Sequence, residues 1–225
     1  MKITFISDTH TLHNKLDGQL PGGNLLIHAG DIMNSGHKKQ EIHDFCKWFE
    51  SQDYKYKIFI AGNHDKMFEG HPLESNTIVN NYDVTYLQDD ESIVEGVKIY
   101  GSPWQPWFHN WAFNLPKGGD TLMSKWEAIP KDTGILVTHG PPQGHLDVSG
   151  PPYNEPNLGC SLLRVKVDEI KPKIHVFGHI HGSYGYKFHN GIHFINASIL
   201  NEKYQYKNKP LTVEWDPDTN ELDFV

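Results

Sequence analysis

The sequence predicts an α/β domain built on two sheets. Three observations carry this reading. The first part of the chain alternates strand, loop and helix, which argues for a mostly parallel sheet of βαβ-like units. The last part is strand-like throughout, with hairpin signals. The chain has 225 residues, 37% of them hydrophobic and 21% charged, enough for a core and too balanced for disorder. A single domain over residues 1–225 with two sheets suits this pattern better than two domains, because no polar linker, repeat or low-complexity tract divides it.

The elements follow in order. Lys2 to Ser7 is a short apolar strand, then a polar loop; Asn24 to Ala29 is a second strand. From Lys38 to Gln52 the period changes: Ile42, Phe45, Cys46 and Phe49 fall at helical spacing with charged residues between them. Tyr56 to Ala61 is a third strand. Thr85 to Leu87 and Ser92 to Tyr100 read as strands in a less regular middle. Next comes a loop with Trp104, Trp107 and Trp111, read either as core packing or as a stacking wall for a nucleobase. Thr121 to Ile129 is helical, Gly134 to Thr138 a buried strand. Residues 140–158 hold five prolines and three glycines, which forbids regular structure. Gly159 to Ile170 is a helix and Lys173 to Phe177 a strand. Tyr184 to His189 and Ile192 to Asn196 flank the hairpin signal Asn190-Gly191, and Leu211 to Trp215 and Glu221 to Val225 flank another turn.

Composition excludes several classes. Twenty Lys and Arg against 28 Asp and Glu give a net charge of -8, with no basic stretch to track a phosphate backbone, so no extended nucleic-acid surface is expected. Two cysteines, Cys46 and Cys160, rule out a disulfide framework and a thiolate zinc site. No apolar run approaches a membrane span, and the N-terminal strand meets Asp8 without a signal-peptide pattern, so a cytoplasmic setting is the expectation. Histidine is the outlier, at 15 residues.

Five apolar strands end in Asp, Asn or His: Asp8-Thr9-His10, Gly30-Asp31, Gly62-Asn63-His64-Asp65, His139-Gly140 and Gly178-His179-Ile180-His181. Ligands of open α/β sheets bind outside the carboxyl ends of the strands, so five such clusters can converge. Asp8, His10, Asp31, Asn63, His139, His179 and His181 supply seven oxygen or imidazole donors and no thiolate. That is too many for one first-row ion and suits two sharing a carboxylate. The donor types favour Mn, Fe, Zn, Co or Ni without choosing among them. Alternation would place Asp8 with His10, and His179 with His181, on one side. Gly30, Gly62 and Gly178 would let the backbone turn sharply.

These five motifs, in this order, resemble the calcineurin-like metallophosphoesterases over most of the chain. His139-Gly140-Pro141-Pro142, Gly144-His145-Leu146-Asp147, the Trp-rich segment and Asn196-Ala197-Ser198 resemble more locally the MPPED branch of that family. The resemblance implies a two-sheet α/β/β/α sandwich with a dinuclear metal centre at the strand ends. It implies one metal on Asp8, His10, Asp31 and His181, and another on Asp31, Asn63, His139 and His179, with Asp31 bridging. Asn34 stands where many relatives carry an acidic residue, and no role is assigned to it.

The reaction expected on this pattern is hydrolysis of a small anionic phosphoester, a phosphodiester such as a cyclic nucleotide, by attack of a hydroxide held between the metals. His64 follows Asn63 directly and is the expected general acid, with Asp65 or another carboxylate orienting its imidazole. His145, in the irregular loop after His139, is the expected substrate contact. His28 and His175 belong in apolar strands, and His13, His37, His43, His71, His109, His189 and His193 at surface or half-buried positions. Cys160 follows a turn glycine at a helix start, where a thiol pKa can fall. The alternatives are a phosphomonoesterase, a phosphoprotein phosphatase or a nuclease on the same fold, and a non-catalytic scaffold. A nuclease calls for clustered Lys and Arg, and a scaffold for lost ligands.

Overall fold

Two six-stranded sheets, each parallel at its centre, with antiparallel strands at one edge of the first and at both edges of the second, carry the chain in a computed structural model that describes residues 1–225. In chain order the elements are β1 (Lys2–Ile6), β2 (Gly23–His28), α1 (Lys39–Glu50), β3 (Tyr54–Phe59), α2 (Lys66–Gly70), α3 (Pro72–Val79), β4 (Thr85–Tyr86), β5 (Asp90–Val94) and β6 (Val97–Ser102). Then come β7 (Gln105–Pro106), β8 (Asn114–Leu115), α4 (Asp120–Glu127), β9 (Ile135–Thr138), α5 (Ser161–Ile170), β10 (Ile174–Phe177), β11 (Gly185–His189), β12 (Ile192–Asn196), β13 (Leu211–Trp215) and β14 (Leu222–Phe224). The first sheet runs β14-β13-β1-β2-β3-β4 and the second β11-β12-β10-β9-β6-β5. β1 to β4 are mutually parallel, as are β6, β9, β10 and β12.

Three apolar layers explain the order. Ile3, Phe5, Leu25, Ile27 and Ile58 of the first sheet face Ile99, Ile135, Val137, Val176 and Ile195 of the second. The alternate residues Ile6, Leu26 and Phe59 face outward onto Phe45 and Phe49 of α1, Phe68 of α2 and Ile78 of α3. On the far side Leu136, Phe177 and Phe194 pack on Trp126 of α4 and Leu163 and Val167 of α5. Strands buried on both faces read as continuous apolar runs, as these do. The result is the α/β/β/α sandwich. No helix is long and apolar enough to cross a membrane.

Two elements depart from the sequence reading. The run from Ser92 to Tyr100 is a hairpin, turned at Glu95 and Gly96, both at positive φ (49° and 85°). Residues 66–79 hold two short helices the periodicity did not show. α2 has five residues, too few to display a period, and α3 opens on Pro72, which fits a first helical turn because its missing N–H would be unpaired there.

Candidate metal centre

β1, β2 and β3 end beside the ends of β9 and β10, so the five polar clusters meet between the sheets. Ser7 bridges Ser198, the His179 N–H donates to both Asp8 carboxylate oxygens at 3.1 Å, and His139 Nδ1–H donates to the Ala29 carbonyl at 3.0 Å. Strand alternation is not what aims these side chains. Asp8, His10, Asp31 and His179 lie past the strand ends at φ of 54°, 41°, 60° and 65°, and His181 opens a 3-10 turn. Non-glycine residues in the left-handed region carry strain that clusters at functional sites. The glycines also act differently from the expectation. Gly30 does turn at φ 97°, but Gly62 and Gly178 have ordinary backbones. They are needed for space: a Cβ on Gly178 would collide with the Asp8 carboxylate, and one on Gly62 would meet Asp31 and lie 2.6 Å from His139 Cε1.

The donor atoms lie edge to edge. His139 Nε2 is 3.4 Å from Asp31 Oδ2 and 2.9 Å from Asn63 Oδ1. His181 Nε2 is 3.3 Å from Asp8 Oδ1, and His10 Nε2 is 3.6 Å from Asp31 Oδ2. His179 stacks edge-on to His139 with ring centroids 5.0 Å apart. Three sets (Asp8, His10 and His181; His10, Asp31 and His64; Asp8, Asp31 and His139) each hold their ligand atoms within 4.8 Å of one another. All seven predicted residues are therefore brought to one place, and His64 with them.

These residues fit a metal. His139 and His181 commit Nδ1–H to the carbonyls of Ala29 and Asn201, each at 3.0 Å, so the Nε2 of a neutral ring presents a lone pair to the carboxylate facing it. Two electron-rich atoms at that distance are stable only with a proton or a cation between them. With a proton there, burial opposes the charge, yet Asp31 raises His139 to about 9 and Asp8 raises His181 to about 9. Burial also opposes charge on Asp8, but its hydrogen bond from His181 holds the carboxyl well below its usual range. Burial pushes His10 down to about 4 and His179 down to about 3. Both ring nitrogens of the buried His10 lack a partner, as an imidazole prepared for a cation would. Ser198 Oγ–H donates to Asp8 Oδ2 at 2.7 Å and the His64 N–H to Asp31 Oδ1 at 2.7 Å, so both carboxylates are aimed by neighbours.

The groups around this cluster differ from expectation. Asp65 does not orient His64. It is fully buried and accepts four backbone N–H bonds from Asp31, Ile32, Met33 and Gly62, which holds the two ligand loops together. His64 instead donates Nδ1–H to the main-chain carbonyl of Asn34 at 2.5 Å and stacks on Trp111 with centroids 3.9 Å apart. The residue left without a role thus orients the expected acid through its backbone. His145 does not reach the centre. Gly144 and Leu146, both at positive φ, turn the loop so that the His145 ring lies flat on Phe194, with centroids 3.9 Å apart and planes at 8°, on the outer side of the second sheet. His28 and His175 are buried and hydrogen-bonded to Thr9 and Thr138. His13 and His193 are buried rather than at surface or half-buried positions. Burial pushes the Cys160 thiol up, not down.

A cleft of about 230 Å³ opens over Asp31, Asn63, His64, His179 and His181. Its other walls were not foreseen: Phe108, Ser149, Tyr153, Glu155, Glu202 and Tyr204. The loop after Asn196 carries no metal-ligand spacing, so nothing in the sequence signalled the last two.

The family model of the calcineurin-like phosphoesterases matches residues 1–183. The chain is 40% identical over 231 residues to metallophosphoesterase domain-containing protein 1 of Homo sapiens, an alignment covering 93% of this chain and 69% of that protein. TT1561 of Thermus thermophilus shares the fold at a TM-score of 0.64 and 13% identity, covering 100% of this chain and 97% of its own. So does the phosphopantetheinyl hydrolase of Mycobacterium tuberculosis, at a TM-score of 0.60 and 16% identity, covering 90% of each chain. Fold and site together define a metal-dependent phosphoesterase. The chain belongs to the calcineurin-like phosphoesterase family.

Proposed function

We propose that this protein is a phosphodiesterase acting on small phosphodiesters, cyclic nucleotides among them, with His64 as the general acid. Asp8, His10, Asp31 and His181 would hold one transition-metal ion, and Asp31, Asn63, His139 and His179 the other; Mn, Fe, Zn, Co and Ni suit these donors. When bound, the ions would supply Lewis-acid stabilisation of charge on the phosphoryl oxygens. The observation that carries the reading is the placement of His64. Its Nδ1–H is tied to the Asn34 carbonyl and its face to Trp111, which leaves Nε2 as the ring nitrogen free to serve the cleft. A departing alkoxide needs such a proton, and a positioned acid contributes about 10²–10⁴-fold. A small substrate is favoured because the cleft has a volume of only about 230 Å³ and neither Lys nor Arg lines it, whereas a nucleic-acid polymer would call for a basic groove. One domain over residues 1–225 is favoured because β13 pairs with β1, joining the two ends of the chain in one sheet.

The test is a metal-reconstituted panel of p-nitrophenyl phosphate, bis-p-nitrophenyl phosphate, and 3′,5′- and 2′,3′-cyclic nucleotides. Diesters should be turned over in preference to the monoester. Preference for the monoester over every diester overturns the proposal in favour of a phosphomonoesterase. His64→Ala should keep two metals per chain and lose about 10²–10⁴ in kcat. Loss of metal in that variant would make His64 a ligand, as its nearness to His10 and Asp31 allows.

A further inference from the structure

The three tryptophans that follow β6 have different surroundings. Trp104 is half-buried, donates Nε1–H to Asp89 at 2.7 Å and packs edge-on against Phe113. Trp107 is 60% exposed. Trp111 lies on His64, with ring centroids 3.9 Å apart and planes at 23°. That indole face is covered by the chain's own imidazole and is not open to a ligand's base. His64 meets its other aromatic neighbours differently, His10 edge-on at 4.5 Å and Tyr204 tilted at 6.0 Å. The hydrogen bond from its Nδ1–H to the Asn34 carbonyl fixes one atom of the imidazole, and a ring held at one atom can still tilt about it. A flat surface against the ring face sets its plane. Trp111 supplies that surface.

The indole is itself held. Ala112, the next residue, donates its N–H to the main-chain carbonyl of Asn63 at 2.9 Å, and the Phe113 N–H donates to Glu69 Oε2 at 3.0 Å. Asn114 donates from Nδ2 to the carbonyls of Phe108, His109 and Trp111 at 3.0, 3.1 and 3.1 Å, which closes the loop on itself. The Lys66 ammonium lies 4.6 Å from the Trp111 ring centroid, within the range of a cation–π contact. Lys66 and Glu69 belong to α2, which begins two residues after His64. The segment that carries His64 therefore also carries the groups that seat the indole beside it. A backbone carbonyl, a carboxylate and an ammonium together fix Trp111 relative to the Asn63-His64 turn.

We propose that Trp111 is a positioning residue: its indole sets the plane of the His64 imidazole, so that Nε2 is aimed at the departing oxygen. The inference rests on the reading of His64 as the general acid. An acid matters more as the group it protonates becomes more basic. p-Nitrophenoxide spreads its charge onto the nitro group and leaves without a proton, whereas phenoxide gains from one. The assay compares kcat for phenyl and p-nitrophenyl esters of whichever class, monoester or diester, the metal-loaded protein turns over faster. His64→Ala should lose about 10²–10⁴-fold on the phenyl ester and far less on the p-nitrophenyl ester. Trp111→Leu should keep two metals per chain. It should lose about tenfold or more on the phenyl ester and less than about threefold on the p-nitrophenyl ester, because a misaimed group costs rate where that group is needed. Trp111→Phe keeps a flat face and should stay within about threefold of the wild type on both. The double variant with His64→Ala should be no slower than His64→Ala alone, since residues that act as a unit are not additive. Equal losses on the two esters, a double variant slower than His64→Ala, or loss of metal in Trp111→Leu overturns the proposal and leaves the indole as packing. Trp111→Met gives the same comparison if Trp111→Leu does not fold. If His64→Ala loses equally on both esters, the acid reading falls and the role of Trp111 with it. If His64→Ala is selective and Trp111→Leu is not, the acid stands and the inference about Trp111 alone falls.

Discussion

Asp65→Asn tests the finding that this carboxylate organises the ligand loops and not the acid. Oδ2 accepts the N–H groups of Asp31, Ile32 and Gly62 at 2.9, 3.2 and 2.7 Å, and Oδ1 accepts that of Met33 at 2.8 Å. Asparagine keeps the shape but has one oxygen. With that oxygen in the Oδ2 place, three bonds survive in neutral form, each weakened by about 1 kcal/mol, and the Met33 N–H faces an amide N–H₂ at a cost of about 1–3 kcal/mol. Against this, the buried charge disappears. Burial and the adjacent Asp31 carboxylate push the Asp65 carboxyl up, disfavouring its charge, so part of the loss is recovered. The net expectation is a destabilisation of about 3 kcal/mol, read by urea unfolding. The Asp31 backbone would also lose its anchor, and metal affinity should fall about 10–100-fold, read by Mn²⁺ titration calorimetry. If Asp65 worked through His64, kcat would drop while metal affinity stayed within about twofold, and stability would change by less than about 0.5 kcal/mol. That result would refute the reasoning.

Three further outcomes are expected. Asn34→Ala should change kcat by less than about twofold, because His64 bonds the main-chain carbonyl there, and a loss of about 10²-fold would show that the side chain matters. Gly178→Ala should lose metal from the Asp8 side, measured by elemental analysis of the purified protein, since the new methyl collides with the Asp8 carboxylate. His175 is held down to about 3 by burial: its Nε2–H donates to Thr138 Oγ, which itself donates to Gly140, and its Nδ1 has no partner. Its folded pKa thus lies below the unfolded value, so the unfolded chain binds the extra proton. Stability is then lost as pH falls from about 6.5 toward 3, by up to about 1.4 kcal/mol per unit. His175→Gln should show a shallower loss over that window in urea unfolding at successive pH values, and identical slopes would count against the account.

Much of this was legible in the sequence because of the place of the polar residues. Apolar runs that stop at Asp, Asn or His announce strand ends, and a sheet gathers its strand ends at one edge; the seven predicted donors met for that reason. What failed depended on the path of the chain between such points. His145 follows His139 by six positions, and only the left-handed turns at Gly144 and Leu146 send it onto Phe194 instead. Asp65 looked like a partner for His64 because the two are adjacent, yet backbone N–H groups from a distant loop claimed it. Main-chain partners such as the Asn34 carbonyl carry no residue signature. Tyr204 and Glu202 reach the cleft from an irregular segment with no period to read.

The division of the donors between the sheets has a mechanical consequence. Asp8, His10, Asp31 and Asn63 hang from one sheet, and His139, His179 and His181 from the other. An ion bound across them would act as a rivet through the sandwich. Whatever tightens the seam of Ile27, Ile58, Val137 and Val176 tightens the grip on the ion, and by reciprocity the ion resists separation of the seam. Cation affinity would then gauge the fit of two layers whose apolar contacts lie well behind the chemistry.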